Sequence, residues 1–131
     1  MVKKTPSPAK RRELVMQALY QKEMTGSSNT DLVKQFKQNY KNLNLKDFET
    51  CLKEIKRNIL DIDSIIEKHT NINFDQISKI ELAILKQAIY EIRNSDLDKP
   101  IIISEAIRLA KRFGQDSSHK FVNALLDKAA N

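Results

Sequence analysis

The stretch IELAILKQAIYEI at residues 80–92 decides the fold, because its apolar side chains recur at steps of three and four residues. This is the period of an α-helix that turns one face toward a core. The pattern predicts a helix over residues 75–94. Its core face is predicted to carry Ile77, Ile80, Ile84, Leu85, Ala88, Ile89 and Ile92.

Helical periodicity continues on both sides of this stretch, with no convincing strand alternation. Ser7 and Pro8 are typical of a helix start, and Gly26 is typical of a helix end. The predicted helices cover residues 8–24, 30–40, 45–69, 75–94, 100–113 and 118–128. Six to seven helices with short connections predict antiparallel neighbours in one all-α domain. That domain is expected over residues 7–131, after a flexible basic arm over residues 1–6.

Composition narrows the class of protein. The chain has 131 residues, of which 40% are hydrophobic and 31% charged, as in a single globular domain. Two glycines leave no room for a glycine-rich phosphate loop. The single cysteine, Cys51, excludes an intrachain disulfide and a paired-cysteine metal site, and it fits a cytoplasmic protein. The chain lacks the run of about 18 apolar residues that a membrane span needs, so no membrane association is expected.

Catalytic residues are also missing from the pattern. His69 and His119 are far apart in sequence, and neither has a metal ligand three or four residues away. Residues 116–119 read DSSH, but consecutive residues cannot converge on one reacting atom. A helix N-terminus explains that tetrapeptide better. We therefore predict no enzyme, no metal site and no cofactor.

The distribution of charge is the strongest functional signal from composition. The chain carries 23 Lys and Arg against 17 Asp and Glu, a net charge of +6. The cations that precede the first acid are Lys3, Lys4, Lys10, Arg11 and Arg12. Without them the body is nearly neutral. Clustered cations favour a nucleic acid, and a solubilising tail is the alternative.

Several motifs carry a family resemblance. Residues 80–92, residues 104–114 (SEAIRLAKRFG) and residues 118–128 (SHKFVNALLDK) follow one another with short gaps. At the other end, RRE at residues 11–13 leads to QALY at residues 17–20. In order and spacing these segments closely resemble the NusB family of bacterial transcription antitermination factors.

The resemblance implies a fold of two packed antiparallel helical bundles and a role without catalysis. It implies a heterodimer with NusE, a ribosomal protein, that binds the boxA segment of nascent ribosomal RNA. Other Nus factors and RNA polymerase would complete the antitermination complex. A homodimer of the free chain is also compatible with the resemblance. The alternative function is a helical adaptor that binds proteins without sequence-specific RNA binding.

The resemblance also assigns an RNA surface in two parts. The basic arm would hold phosphates through the five cations named above. A second contact would come from the start of the last helix, with Ser118, Lys120, Phe121 and Asn123. An aromatic ring can stack on an unpaired base. For Phe121, packing in the core is the alternative, and Asn123 could instead satisfy a cap or a core group.

For the protein partner, the resemblance points to Tyr20, Asp75 and Glu81. Acidic residues here would face the basic residues of a ribosomal protein. Met16 and Met24 lie on the same helical stripe as Tyr20, and core packing is their alternative. Glu81 could instead pair with a lysine of its own helix. Lys86 stands where the family usually has an arginine that could serve in a structural ion pair, and the two side chains are not interchangeable.

Overall fold

Seven α-helices follow one another in the computed structural model, which describes residues 2–131. They are α1 (Pro8–Thr25), α2 (Asn29–Asn39), α3 (Lys46–Arg57), α4 (Ile59–His69), α5 (Lys79–Asn94), α6 (Lys99–Phe113) and α7 (Ser118–Ala130). A 3₁₀ turn at Phe74–Gln76 precedes α5. The predicted all-α class is confirmed.

Serine caps set the starts of three helices. Ser7 Oγ accepts a hydrogen bond from Lys10 N at 3.1 Å, as the sequence predicts for α1. Ser28 and Ser78 do the same for α2 and α5, since each hydroxyl accepts from the amide three residues later at 3.1 Å. These bonds satisfy amides that have no partner inside the helix. At the other end of α1, Gly26 takes a left-handed conformation with φ of 72°.

The single helix predicted over residues 45–69 is wrong, because it is broken at Asn58 into α3 and α4. The Asn58 side-chain amide donates to Glu54 O at 2.7 Å, which competes with regular helical bonding. Its backbone amide is shared between Glu54 O at 3.1 Å and Ile55 O at 3.2 Å. The apolar stripe resumes at Ile62 and Ile66, which are buried. Continuity of that stripe hid the break in the sequence pattern.

Helix α5 occupies the centre of the molecule and begins four residues later than predicted, after the Ser78 cap. Every residue from 82 to 89 is buried, including Lys86 and Gln87. On the predicted core face, Ile80 and Ile92 are half-buried and the other members are buried. Contacts with α1, α3, α4, α6 and α7 explain this burial.

The helices form two bundles that meet where α1 packs against α5. Helices α1, α2 and α3 contact one another in the N-terminal bundle, and α4 to α7 form the C-terminal bundle. Helix α1 is therefore buried on two sides. Met16 lies in the core at 1% exposure, whereas Met24 is 57% exposed, so the two methionines of the predicted stripe have different environments.

Candidate nucleic-acid interface

The N-terminal segment lies against the loop between α2 and α3. Lys4 N donates to Asn42 O at 3.1 Å, and Lys4 O accepts from Asn44 N at 2.7 Å. Pro6 is buried, while the side chains of Lys3 and Lys4 are exposed. The predicted flexible arm therefore has an anchored part from Lys4 onward, and Met1 lies outside the described residues.

Lys10 lies in the first turn of α1, and its side chain is partly exposed to solvent although it is paired. Its Nζ lies 2.9 Å from Glu13 Oε2 and 5.5 Å from the centre of the Tyr40 ring. Arg112 of α6 also pairs with Glu13. The Arg112 side chain is 58% exposed and the Lys10 side chain 41%, whereas the Glu13 side chain is only 8% exposed. Two exposed cations thus share one buried carboxylate, which leaves an excess of positive charge at the surface.

Arg12 has a different environment from the other cations of the N-terminal cluster. It is 4% exposed, and its Nε donates to both Glu91 oxygens at 2.9 and 3.1 Å. Its Nη1 lies 3.7 Å from Glu105 Oε1. The guanidinium therefore ties α1 to α5 and α6. Direct contact of Arg12 with an RNA phosphate stays a prediction.

Arg11 is intermediate in exposure between Lys10 and the buried Arg12. Its side chain is 23% exposed, and Nη2 lies 3.6 Å from Glu91 Oε1. Its Nε is buried and has no hydrogen-bond partner among the described residues. Arg11 therefore retains a donor that the described part of the protein does not use.

The start of α7 is fixed by a buried hydroxyl. Ser118 is 1% exposed, and its Oγ donates to Glu81 Oε2 at 2.7 Å and accepts from Gln115 N at 3.0 Å. Gly114 permits this approach, because a Cβ at that position would lie 2.6 Å from Ser118 Cβ. Ser118 therefore positions the segment that follows it, and in this structure its hydroxyl is not free to contact RNA.

Three other predicted RNA residues lie on the first turns of α7. Lys120 and Asn123 are exposed and three residues apart, so they share one side of the helix. Phe121 is half-buried and packs against the core, with the rest of its ring open to solvent. Lys120 and Asn123 thus share one exposed side of α7, and Phe121 lies on the other side of Lys120, at the edge of the core.

The predicted partner residues lie around adjoining ends of α1 and α5. Tyr20 is half-buried in a groove of about 500 Å³ between α1 and α2, where Met24 also lies. Lys79 Nζ at the start of α5 is 3.8 Å from Glu23 Oε2, so Glu81 lies at the same end of the molecule. Asp75 is exposed in the 3₁₀ turn that leads to α5.

Glu81 links the two predicted surfaces. Its side chain accepts the hydrogen bond from Ser118 and not one from a lysine of α5, so that alternative is wrong. The sequence assigned Glu81 to a protein partner and Ser118 to RNA. The structure joins them at 2.7 Å.

A second charged cluster joins α1, α4 and α5. Lys86 is 6% exposed, and its Nζ donates to Glu23 Oε1 at 2.7 Å. This hydrogen bond lowers the pKa of Glu23. Asp63 lies 4.0 Å from Lys86, and burial raises the pKa of Asp63. Lys86 thus serves in a structural ion pair.

Sequence reasoning missed Glu13, Glu91 and Arg112 as parts of this site. In the sequence, each of them is a charged residue next to apolar helix positions. Solvent-exposed helix faces show the same pattern, so it does not single these residues out. Only the packing of α1 on α5 and α6 showed which charges are paired. Among the described residues, no group of three or more His, Cys, Asp or Glu side chains could hold a metal ion. None of the described helices has both the length and the apolar character required to cross a membrane.

Comparison with known proteins places this geometry in a family. The model of the NusB family matches residues 9–131. The transcription antitermination protein NusB of Tolumonas auensis is 37% identical over 127 residues, which cover 92% of this chain and 92% of that protein. The NusB protein of Escherichia coli O139:H28 is 35% identical over 122 residues, covering 91% of this chain and 88% of that protein.

Solved structures agree with the sequence comparison. T. maritima NusB superimposes with a TM-score of 0.85 and 29% identity, over 96% of this chain and 92% of that chain. A chain from a crystal structure of the antitermination factors NusB and NusE in complex with dsRNA gives a TM-score of 0.81 and 25% identity. That match covers 93% of this chain and 94% of the other. The chain therefore belongs to the NusB family of transcription antitermination factors.

Proposed function

We propose that this chain is the RNA-binding subunit of an antitermination complex and binds the boxA segment of nascent ribosomal RNA together with NusE. With RNA polymerase and other Nus factors, the complex would keep ribosomal RNA transcription processive. The chain itself supplies binding and assembly, not catalysis.

The observation that supports this proposal is that the N-terminal segment and the start of α7 both expose side chains suited to RNA. Lys3, Lys4 and Lys120 are exposed cations, and Phe121 presents part of a ring. Cations gain affinity for RNA by releasing its counterions. A partly exposed ring adds stacking to an unpaired base. Arg12 anchors the first turns of α1 to α5, and Ser118 fixes the start of α7.

The Glu81–Ser118 hydrogen bond supports a role for the protein partner in RNA binding. A partner that contacts Glu81 would touch the group that fixes the first turn of α7. Lys120 and Phe121 lie in that turn. Binding of NusE would therefore hold the α7 contact in one geometry and reduce the entropy lost when RNA binds.

The test is a fluorescence-anisotropy titration with a labelled boxA-type RNA and a scrambled RNA of equal length, each with and without NusE. We expect preference for the boxA-type RNA and tighter binding when NusE is present. Equal binding of both RNAs in the presence of NusE would contradict the proposal. It would favour the adaptor function, in which the basic segment is only an electrostatic tail.

A further inference from the structure

A groove between α2 and α3 concentrates positive charge outside the surface described above. It has a volume of about 580 Å³ and is lined by Asn29, Thr30, Val33, Lys34, Lys37, Glu49, Lys53 and Lys56. Four lysines therefore face one glutamate. The nearly neutral charge of the body, counted along the sequence, concealed this local excess.

Most of this charge has no partner in the described part of the chain. Lys37 Nζ lies 3.3 Å from Glu49 Oε2, which uses the single carboxylate of the groove. Lys34, Lys53 and Lys56 are exposed and take part in no ion pair among the described residues. Lys22 donates to Asn29, a lining residue of the groove, at 2.7 Å. The pKa of Lys22 is lowered, first by burial and then by repulsion from Lys56. An anion in the groove would relieve this repulsion.

One end of the groove lies near the loop that the N-terminal segment contacts. Its two walls are the helices that the loop at residues 40–45 connects, and Lys4 is paired with Leu43 in that loop. From the loop, Lys37 comes first, then Lys34, then Asn29 toward the start of α2. An RNA strand held by the exposed Lys3 and Lys4 could therefore extend past the loop toward the groove.

The lining favours a phosphodiester backbone as the occupant. Val33 is the only aliphatic residue among the lining residues, and it is 9% exposed, so an apolar anchor of an acidic peptide would find little surface. Within residues 2–131, no aromatic side chain lines the groove to stack on a base. Lysine ammonium groups act as point charges that hold phosphates without reading sequence.

We propose that the α2–α3 groove is a sequence-independent binding site for single-stranded RNA that flanks the specifically bound segment. This inference rests on the RNA binding proposed above and extends it to a separate surface. The groove would add affinity to a longer transcript and would not contribute to the choice of sequence.

The test compares two double variants. The groove variant carries Lys34→Gln and Lys53→Gln, and the control variant carries Lys68→Gln and Lys128→Gln. Both variants lose two exposed lysines without an ion pair among the described residues. The probes are a boxA-type RNA and the same RNA extended by oligouridine at its 5′ or 3′ end, titrated by anisotropy over a range of salt concentrations. We expect the groove variant to lose about tenfold in affinity for one extended RNA only. The slope of log affinity against log salt should fall by about 1.4, since each phosphate contact contributes about 0.7.

Unchanged affinity of the groove variant for both extended RNAs would overturn the inference, as would an equal loss in the control variant. Tighter binding of polyaspartate than of oligouridine, lost in the groove variant, would assign the groove to an acidic protein and also overturn it. Failure of the proposed function looks different. In that case the wild-type chain with NusE shows no preference between the boxA-type RNA and the scrambled RNA.

Discussion

At the scale of single residues, burial decides which charges support the structure and which remain available for binding. Arg12 and Lys3 belong to the same run of five cations, and composition treats them alike. The structure separates them, since Arg12 is 4% exposed and Lys3 is exposed. The packing of α1 against α5 buries Arg12 beside the Glu91 carboxylate. No pattern in the sequence shows which cation will be paired in this way.

The first prediction concerns the Arg12–Glu91 pair. Arg12→Ala should lower the free energy of unfolding by about 3–5 kcal/mol, because Glu91 would keep a buried charge without its main partner. Urea unfolding followed by circular dichroism measures this change. The double variant Arg12→Met with Glu91→Met should recover much of the loss. A loss below about 1 kcal/mol in Arg12→Ala would contradict the structural role assigned to this pair.

A second prediction concerns Ser118. Ser118→Ala removes the bond to Glu81 and the acceptor for Gln115 N, so we expect a loss of about 1–3 kcal/mol in stability. We also expect NusE to improve RNA affinity less in this variant, while the salt slope of RNA binding stays unchanged. Anisotropy titrations with and without NusE separate these effects. Lys120→Gln is the contrasting variant, since it should change the salt slope and leave stability within about 0.5 kcal/mol.

At the scale of elements, the N-terminal segment and the start of α7 form the RNA surface of the proposal. Local rules predicted the helix that follows the segment, including the Ser7 cap and the Gly26 end. They did not predict that Lys4 pairs with the α2–α3 loop, because that contact joins residues far apart in sequence. The break at Asn58 was also missed, since the apolar stripe continues across it.

The element-scale prediction concerns the basic segment. Lys3→Gln with Lys4→Gln should lower the slope of log affinity against log salt by about 1.4, because two phosphate contacts are lost. Stability should stay within about 0.5 kcal/mol, since both side chains are exposed. Deleting residues 1–12 would be a poorer test, as it also removes Arg12. An unchanged salt slope would show that the segment does not contact RNA.

At the scale of the whole molecule, ion pairs between distant helices make stability depend on pH. Lys86 of α5 lowers the pKa of Glu23 of α1 below its usual 4.5. The pair therefore stabilises the fold above that value, and this stabilisation is lost as the pH falls through the lowered pKa. Asp63 acts in the opposite direction. Burial raises its pKa above 3.8, so its charged form costs stability as the pH rises through that raised pKa.

We therefore expect Glu23→Gln to lower the free energy of unfolding at pH 7. Below pH 4.5, the difference between this variant and the wild-type chain should shrink. Urea unfolding from pH 7 down to pH 3 measures the difference. Asp96→Asn removes an exposed carboxylate that takes part in no ion pair among residues 2–131, and it is the matched control. A difference that stays constant across this range would show that the Glu23–Lys86 pair does not stabilise the fold.

The sequence by itself determined the helical class, the caps at Ser7 and Gly26, the core face of α5 and the family resemblance. These depend on periodicity and on backbone chemistry within a few residues, which a sequence displays directly. Tertiary structure decided that Arg12 and Ser118 are buried, that Glu81 bonds to Ser118, and that lysines of α2 and α3 line one groove. Those relations join residues from different helices. Their energies depend on burial and distance, which are fixed only when the helices pack.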